Sequence, residues 1–138
     1  EKVLSGTPRT SSDPFKIGYA GFHKLHNGFI DEVRIWNKFL TDNDVSTNYE
    51  SDIISDKNDL LGHWKFNTGT GNILYDHSGN GNHGINHGVN LQTGHFNGRN
   101  SYIEVQTSDS LAMGKNDFHH FLTALKKSFV CEVFYNVM

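Results

Sequence analysis

Asp31 is the residue of this chain whose surroundings most clearly require a chemical partner. It lies within residues 29–36, a stretch that is otherwise rich in apolar side chains and is expected to be a strand. A carboxylate buried there without a partner would cost several kcal/mol. A hard cation such as calcium would offset that cost, because calcium binds carboxylate and carbonyl oxygens. The alternatives are that Asp31 faces solvent or pairs with Arg34 or Lys38.

The histidines form a second group of residues that could bind a metal. The chain has nine histidines, and four of them lie in one region rich in glycine and asparagine: His77, His83, His87 and His95. Tetrahedral zinc sites need histidine, cysteine or carboxylate ligands, commonly at short defined spacings. None of the standard spacings occurs, and the single cysteine does not join the group. We therefore interpret these side chains as solvated turn histidines.

Asp76, Ser78 and Asn80 have the spacing with which a calcium-binding loop begins. The later ligand positions and the closing glutamate of an EF-hand are missing, however. The sequence favours an Asx turn instead, in which the carboxylate of Asp76 accepts hydrogen bonds from nearby backbone amides.

No catalytic arrangement can be assembled from the sequence. The paired carboxylates that cleave glycosidic bonds must face each other across the substrate. Asp31 and Glu32 are adjacent, and they therefore point to opposite sides of a strand. No Ser-His-Asp or Cys-His arrangement stands out from the scattered residues of those types. We predict that the chain is not an enzyme.

Composition argues against two classes of partner. The 138 residues are enough for one ordinary domain. The formal net charge is -3 and the lysines and arginines form no basic stripe, which argues against nucleic acid. No apolar run approaches the roughly 18–20 residues that span a bilayer, so membrane insertion is not expected.

Short strands and polar turns are expected to position these residues. Apolar patterning predicts strands over residues 15–19, 29–36, 60–66, 73–75 and 101–105. Asn27-Gly28 and residues 96–100 have the composition of turns. Thr41 can cap a helix, and Asp44 can reach back to it in an acidic variant of the capping box. One or two helical turns should follow, to about residue 50.

Several motifs in the chain resemble a known family. Residues 28–36 (GFIDEVRIW) are similar to the closing strand of laminin-G-like domains, which belong to the concanavalin A-like jelly rolls. Residues 61–66 (LGHWKF), 75–84 (YDHSGNGNHG) and 96–105 are similar to the opening strand, the turn and the second strand of that family. The resemblance implies an all-β jelly-roll sandwich of antiparallel strands with one short helix. Because the closing motif comes first, the sandwich should be partial or permuted.

The order of the motifs also implies a domain organisation. We predict that residues 1–50 are the C-terminal part of one laminin-G-like jelly roll, and that residues 60–118 are the N-terminal part of a second. The polar residues 51–59 would be the linker between them. The chain would then span the junction of two tandem domains. The alternative is that it closes as one unit.

Residues 119–138 depart from the family pattern and form an atypical tail. Where the family has a strand beginning Thr-Ile-Ser, this chain has His119-His120-Phe121. The codons CAC-CAT-TTC, read one base later, would begin Thr-Ile-Ser, so one hypothesis is a frameshift, natural or from sequencing. The alternative is a divergent C-terminal strand or helix. The other reading frame of the gene would decide between them.

The resemblance implies a structural calcium site as well. In related jelly rolls a calcium ion lies near the first and last strands. The matching ligands here would be the carboxylate of Asp31, with further oxygens from Asn97, Gly98 and Asn100. In two tandem half-domains these two sets would belong to different sites, whereas one closed unit would let them meet.

Aromatic side chains could either fill the core or stack on a sugar ring. Aromatic residues in strands are more often buried, because each can bury about 150–250 Å². We expect Trp36 and Trp64 to be core residues. Tyr75 and Tyr102 are the candidate ligand-binding residues.

These features favour a non-catalytic binding or adhesion module in a larger secreted or cell-surface protein. Its partner would be a glycan or an extracellular protein, and unpaired strand edges would allow a homodimer that completes the sandwich. Two alternatives stay open. The chain could be an accessory domain of a secreted glycoside hydrolase or other hydrolase, or a structural spacer in an adhesin array.

Overall fold

The computed structural model describes residues 14–19, 25–38, 40–49, 54, 57–67, 71–106, 108–109, 111 and 122–123. Within these ranges lie nine strands and one helix: β1 (Phe15–Ile17), β2 (Asn27–Phe29), β3 (Val33–Trp36), α1 (Asp42–Tyr49), β4 (Leu60–Trp64), β5 (Ile73–Leu74), β6 (Gly84–His87), β7 (His95–Asn97), β8 (Tyr102–Val105) and β9 (Leu122–Thr123). No helix in the described ranges has the length and apolar character needed to cross a bilayer.

The strands form three sheets with antiparallel pairing throughout. The largest sheet has the order β1-β8-β6-β5, a second sheet pairs β2 with β7, and a third has the order β4-β3-β9. Every named strand pair is antiparallel. At this level the prediction of an all-β fold with antiparallel strands and one short helix is confirmed for the described residues.

The strand pairings join the beginning of the chain to its later half. β1 pairs with β8, where Phe15 lies opposite Val105. β2 pairs with β7, and β3 pairs with β4. The described strands of residues 15–36 and of residues 60–105, which the motifs assign to two different domains, therefore share the three sheets that the structure describes. The assignment of these segments to two domains stays a prediction.

One hydrophobic core collects buried side chains from all three sheets. Ile103 of β8, Phe96 of β7 and Trp64 of β4 each come from a different sheet, and each is 0 % exposed. A smaller cluster beside this core consists of Trp36, Leu40, Ile54 and Leu60. The prediction that both tryptophans are core residues is confirmed.

The single strand predicted over residues 29–36 is two strands in the structure. β2 ends at Phe29 and pairs with β7, whereas β3 begins at Val33 and lies between β4 and β9. Between them Glu32 has a φ of 54°, in the left-handed region that non-glycine residues seldom adopt. The prediction of one strand was wrong because the chain turns at a glutamate, a residue type that does not signal a turn.

Asn27-Gly28 does not form the predicted turn. Both residues belong to β2, where Asn27 lies opposite Asn97 and Gly28 lies opposite Phe96. Gly28 has a φ of 145°, which glycine adopts without steric cost. The prediction was wrong because glycine permits this strand geometry as readily as it permits a turn.

Helix α1 begins with the cap predicted from the sequence. The Oδ2 atom of Asp44 accepts hydrogen bonds from the backbone nitrogen of Thr41 at 2.9 Å and from its hydroxyl at 2.7 Å. The backbone nitrogen of Asp44 donates to Thr41 Oγ1 at 3.2 Å. These bonds satisfy groups that the start of a helix leaves without partners. They also hold the pKa of the Asp44 carboxyl below its usual value.

Two sequence predictions lie largely outside the described residues. Of the linker over residues 51–59, the structure describes only 54 and 57–59, and Ile54 is buried. Of the tail over residues 119–138, it describes only the backbone of β9, which pairs with β3. The linker and the frameshift therefore stay predictions.

Candidate functional site

The outer face of the four-stranded sheet carries both of the predicted ligand residues. In β8 the buried Ile103 and Val105 point into the core, so Tyr102 and Glu104 point outward. The register of the neighbouring strands extends this alternation across the sheet. We define the outer face by its outward side chains, which are Lys16, Ile73, Tyr75, Ile85, His87, Tyr102 and Glu104.

Tyr102 lies in the middle of the outer face with neighbours on both sides. From β6, the ring of His87 stacks on it, with centroids 4.3 Å apart and an interplanar angle of 12°. From the β1 side, Lys16 Nζ lies 5.3 Å from the ring centroid and the ring of Tyr19 lies at 5.9 Å. Because β1 and β6 lie on opposite sides of β8, these groups flank the Tyr102 ring. A sugar could stack on Tyr102 only by displacing one of them.

Tyr75 follows β5 at the edge of the same sheet and is more open. It is 51 % exposed. The ring of His83 meets it at an interplanar angle of 76°, with centroids 5.3 Å apart. A perpendicular neighbour covers at most one face of a ring. Of the two predicted ligand residues, Tyr75 is therefore the one with a ring face available for stacking.

His83 places a hydrogen-bond donor beside Tyr75. The backbone N–H of Asp76 donates to His83 Nδ1 over 3.1 Å. Because Nδ1 accepts this bond, the proton of the neutral imidazole belongs on Nε2. His83 is an exposed residue, so the ring presents a donor of fixed tautomer at the surface.

The predicted calcium ligands lie at opposite ends of the pairing between β2 and β7. Asn27 is opposite Asn97, while the backbone N–H of Ile30 donates to the carbonyl of Gly94 at 3.0 Å. Asp31 follows Ile30, which places it roughly 13 Å along the strand from Asn97. Calcium ligands lie about 2.3–2.6 Å from one ion. The described backbone therefore does not bring Asp31 and Asn97 together, and their joint site stays a prediction.

Asn97 closes the turn that follows β7. Its Oδ1 atom accepts hydrogen bonds from the backbone nitrogens of Arg99, Asn100 and Ser101 at 2.9, 3.1 and 3.2 Å. Its Nδ2 atom donates to the side-chain oxygen of Asn100 at 2.8 Å. The backbone nitrogen of Gly98 donates to the carbonyl of His26, the residue before β2, at 3.0 Å. The side-chain oxygens of Asn97 and Asn100 thus accept hydrogen bonds from groups of their own turn.

Three ionisable side chains meet between β3, β4 and α1. Glu32, Arg34 and His63, which we call the charged cluster, are 4, 3 and 2 % exposed. Glu32 Oε2 lies 2.7 Å from Arg34 Nη2 and 2.7 Å from His63 Nε2. Arg34 Nη1 also donates to the backbone carbonyl of Asn48 at 2.5 Å. The charged cluster therefore ties the helix to two strands of the sheet.

The protonation of the charged cluster follows from its geometry. An ionised carboxylate only accepts hydrogen bonds, so the contact with Glu32 places a proton on His63 Nε2. That nitrogen then cannot accept from Arg34 Nε, which lies 3.3 Å away. Burial would raise the pKa of Glu32, but its interactions with His63 and Arg34 outweigh burial and hold the pKa below 4.5. Glu32 is thus ionised at neutral pH.

Stability should depend on pH through Glu32. Because its pKa is lower in the folded than in the unfolded chain, the ionised carboxylate stabilises the fold above about pH 4.5. This contribution is lost as the pH falls through the folded pKa. We expect the difference in free energy of unfolding between wild type and Glu32→Gln to shrink between about pH 7 and about pH 3. Urea denaturation at each pH measures it, and a constant difference would contradict the role of Glu32.

The loop over residues 76–82 is organised by the carboxylate of Asp76. Its Oδ1 atom accepts from the backbone nitrogens of His63 at 2.9 Å and Ser78 at 2.8 Å. Its Oδ2 atom accepts from the backbone nitrogen of Asn82 at 3.0 Å and from the hydroxyl of Ser78 at 2.7 Å. The prediction of an Asx turn at Asp76 is confirmed by these hydrogen bonds.

Two asparagines fasten the same loop to β4. Asn80 Nδ2 donates to the carbonyl of Leu60 at 2.7 Å, and Asn82 Nδ2 donates to the carbonyl of Leu61 at 2.7 Å. In return, Trp64 Nε1 donates to the backbone carbonyl of Asn82 at 2.9 Å. The polar residues of the motif therefore support the fold at this point.

The histidines of the glycine-rich region have different neighbours. His83 and His87 pack against tyrosines, as described above, and the ring of His95 lies 5.0 Å from that of Phe29. His77 is partly buried, and burial together with the charge of Lys65 lowers its pKa. Among the residues that the structure describes, no three His, Cys, Asp or Glu side chains are grouped closely enough to hold a metal ion.

The charged cluster was missed at the sequence level. The alternation of Glu32 and Arg34 against Val33 and Ile35 does indicate a shared face. Arg34 lies directly opposite His63 in the register of β3 and β4, so the two side chains lie on the same face of the sheet. Polar residues at two such alternating positions in an apolar strand were the signal that could have indicated a buried ion pair.

Comparison of the chain with known protein families, with curated proteins and with solved structures finds no match. The resemblance to laminin-G-like domains therefore rests on the motifs alone and stays a prediction.

Proposed function

We propose that this chain belongs to a non-catalytic module of a secreted or cell-surface protein, and that it binds a glycan or an extracellular protein through the outer face. The proposed fold is a partial or permuted concanavalin A-like jelly-roll sandwich of laminin-G-like type. Its support is the antiparallel sheets together with the motifs over residues 28–36 and 75–84. A calcium ion held by Asp31 or by the turn after Asn97 would have a structural role.

The observation that carries the proposal is a group of half-exposed side chains on the outer face. Ile73, Tyr75 and Ile85 are 44, 51 and 43 % exposed, and Ile73 lies directly opposite Ile85. Contiguous exposed apolar surface marks interaction sites more often than scattered apolar residues do. The charged cluster is buried and paired internally, so it supports the fold rather than a reaction.

The test compares wild type with the double variant Ile73→Ser/Ile85→Ser on arrays of glycans and of extracellular proteins. Phe29→Ser is the matched control, because Phe29 is also 51 % exposed but lies in a different sheet. We expect wild type and the control to bind at least one ligand, and the double variant to bind it at least tenfold more weakly. Circular dichroism checks that all three proteins keep their β-type spectrum.

Two outcomes would contradict the proposal in different ways. Equal binding by wild type and the double variant would place the binding surface away from the outer face. Failure of wild type to bind any glycan or protein would favour the structural spacer instead.

A further inference from the structure

We propose that Tyr75 and His83 form a subsite for one neutral pyranose ring, which stacks on the open face of Tyr75 while one of its hydroxyls accepts a hydrogen bond from His83 Nε2. This inference rests on the proposed binding function and specifies its ligand class and its residues. The sugar would meet an aromatic face and a donor that are both in place before it binds.

The position of Tyr75 is fixed by its neighbours in the chain. Leu74, which precedes it, is 2 % exposed and anchors β5 in the core. Asp76, which follows it, is held by hydrogen bonds to three backbone nitrogens. Little backbone freedom is therefore lost when a ligand stacks on the ring, and such preorganisation favours affinity.

The size of the exposed patch fits a sugar better than a protein. A tyrosine can bury about 150–250 Å², so the half-exposed Tyr75 offers roughly 100 Å². With Ile73 and Ile85 the patch reaches on the order of 250 Å², whereas a stable protein interface buries about 800 Å² on each partner. A monosaccharide unit of a glycan matches the smaller area.

The charges of the outer face favour a neutral sugar. Its carboxylate, Glu104, lies 3.7 Å from Lys16 Nζ and accepts a hydrogen bond from Gln106 Nε2 at 2.9 Å. These two charges therefore compensate each other. Lys16 also lies on β1, at the opposite edge of the sheet from β5 and Tyr75, so it offers no counter-charge to an acidic sugar on Tyr75, whereas a neutral sugar needs none.

The Nε2–H donor of His83 would make the subsite favour those neutral ligands that place a hydroxyl where it can accept this hydrogen bond. Its Nε2–H can bond to a hydroxyl of a sugar that lies on the neighbouring tyrosine, while Nδ1 is already occupied by the backbone of Asp76. Tyr102 is the contrasting case on the same face, because His87 and Lys16 already flank its ring.

The experiment measures dissociation constants by ligand-observed NMR for neutral trisaccharides of glucose, galactose and mannose, and for a trisaccharide that contains glucuronate. Wild type is compared with Tyr75→Ala, Tyr75→Phe and His83→Phe. The matched control is Phe29→Ala, since Phe29 is equally exposed and also packs against a histidine, His95.

We expect at least one neutral trisaccharide to bind wild type, and Tyr75→Ala to bind it at least tenfold more weakly. Tyr75→Phe and Phe29→Ala should stay within about threefold of wild type, whereas His83→Phe should weaken binding by more than threefold.

A Tyr75→Ala variant that binds as well as Phe29→Ala would overturn the subsite while leaving the proposed binding function intact. Binding of extracellular proteins but of no sugar by wild type would also overturn the subsite alone. Preference for the glucuronate sugar would overturn its neutral specificity.

Discussion

Replacing Arg34 with methionine is expected to lower the free energy of unfolding by about 3–5 kcal/mol, as measured by urea denaturation followed by circular dichroism. Arg34 is 3 % exposed, and its guanidinium donates both to Glu32 and to the carbonyl of Asn48. Without it, the carboxylate of Glu32 would stay buried with His63 as its remaining partner in the charged cluster. Breaking a buried ion pair is costly because one charge is left uncompensated.

Two further variants make this prediction specific. Arg34→Lys keeps the positive charge, so its loss of stability should be smaller than that of Arg34→Met. Some loss should remain, because an ammonium group lacks the planar fork with which the guanidinium reaches both acceptors. Lys38→Met is the matched control, since Lys38 lies 3.9 Å from Asp44 at the surface and such pairs contribute at most about 1 kcal/mol. A loss of stability for Arg34→Met no greater than that for Lys38→Met would rule out a structural role for the charged cluster.

Replacing Asp76 with alanine is expected to destabilise the chain by about 3–5 kcal/mol, because each buried backbone donor left unsatisfied costs about 1–3 kcal/mol. Three backbone nitrogens lose their acceptor in this variant, those of His63, Ser78 and Asn82. The stability of Asp76→Asn should lie between those of wild type and Asp76→Ala. An amide keeps one acceptor oxygen, but its NH2 group faces backbone N–H groups that need an acceptor.

The matched control for this prediction is Asp109→Ala, which removes the carboxylate of an exposed aspartate. Its effect should lie within about 0.5 kcal/mol of zero. Thermal or urea unfolding of the three variants measures the differences. If Asp76→Ala and Asp109→Ala unfolded alike, the hydrogen bonds of the Asx turn would not contribute to the stability of the fold.

Local features of the structure could be predicted where neighbouring residues determine them. The bonds between Thr41 and Asp44 depend on two residues three positions apart, and the alternation of Ile103 and Val105 depends on one strand. The turn around Asp76 is set by residues within six positions, apart from its bond to His63. In each case the geometry of residues close together in the sequence was enough to predict the feature.

Features that depend on pairing could not be predicted from the same patterns. The contact between Glu32 and His63 joins residues that are 31 positions apart, and it needs both the turn at Glu32 and the register of β3 on β4. The coverage of Tyr102 by His87 likewise depends on register, since a slip by one residue would turn these side chains to the other face. Sequence patterns therefore suggested Tyr75 and Tyr102 as ligand residues, but they did not indicate which of the two rings would be open.

The pairing of β1 with β8 has a consequence for synthesis of the chain. Phe15 and Val105 are opposite each other although they lie 90 positions apart in the chain. A ribosome that adds about 5–20 residues per second takes roughly 5–18 s to make that interval. β2 and β3 also find their partners β7 and β4 later in the chain. β1, β2 and β3 thus lack these partner strands until the later part of the chain is made, and the speed of translation sets how long they must be kept from aggregating.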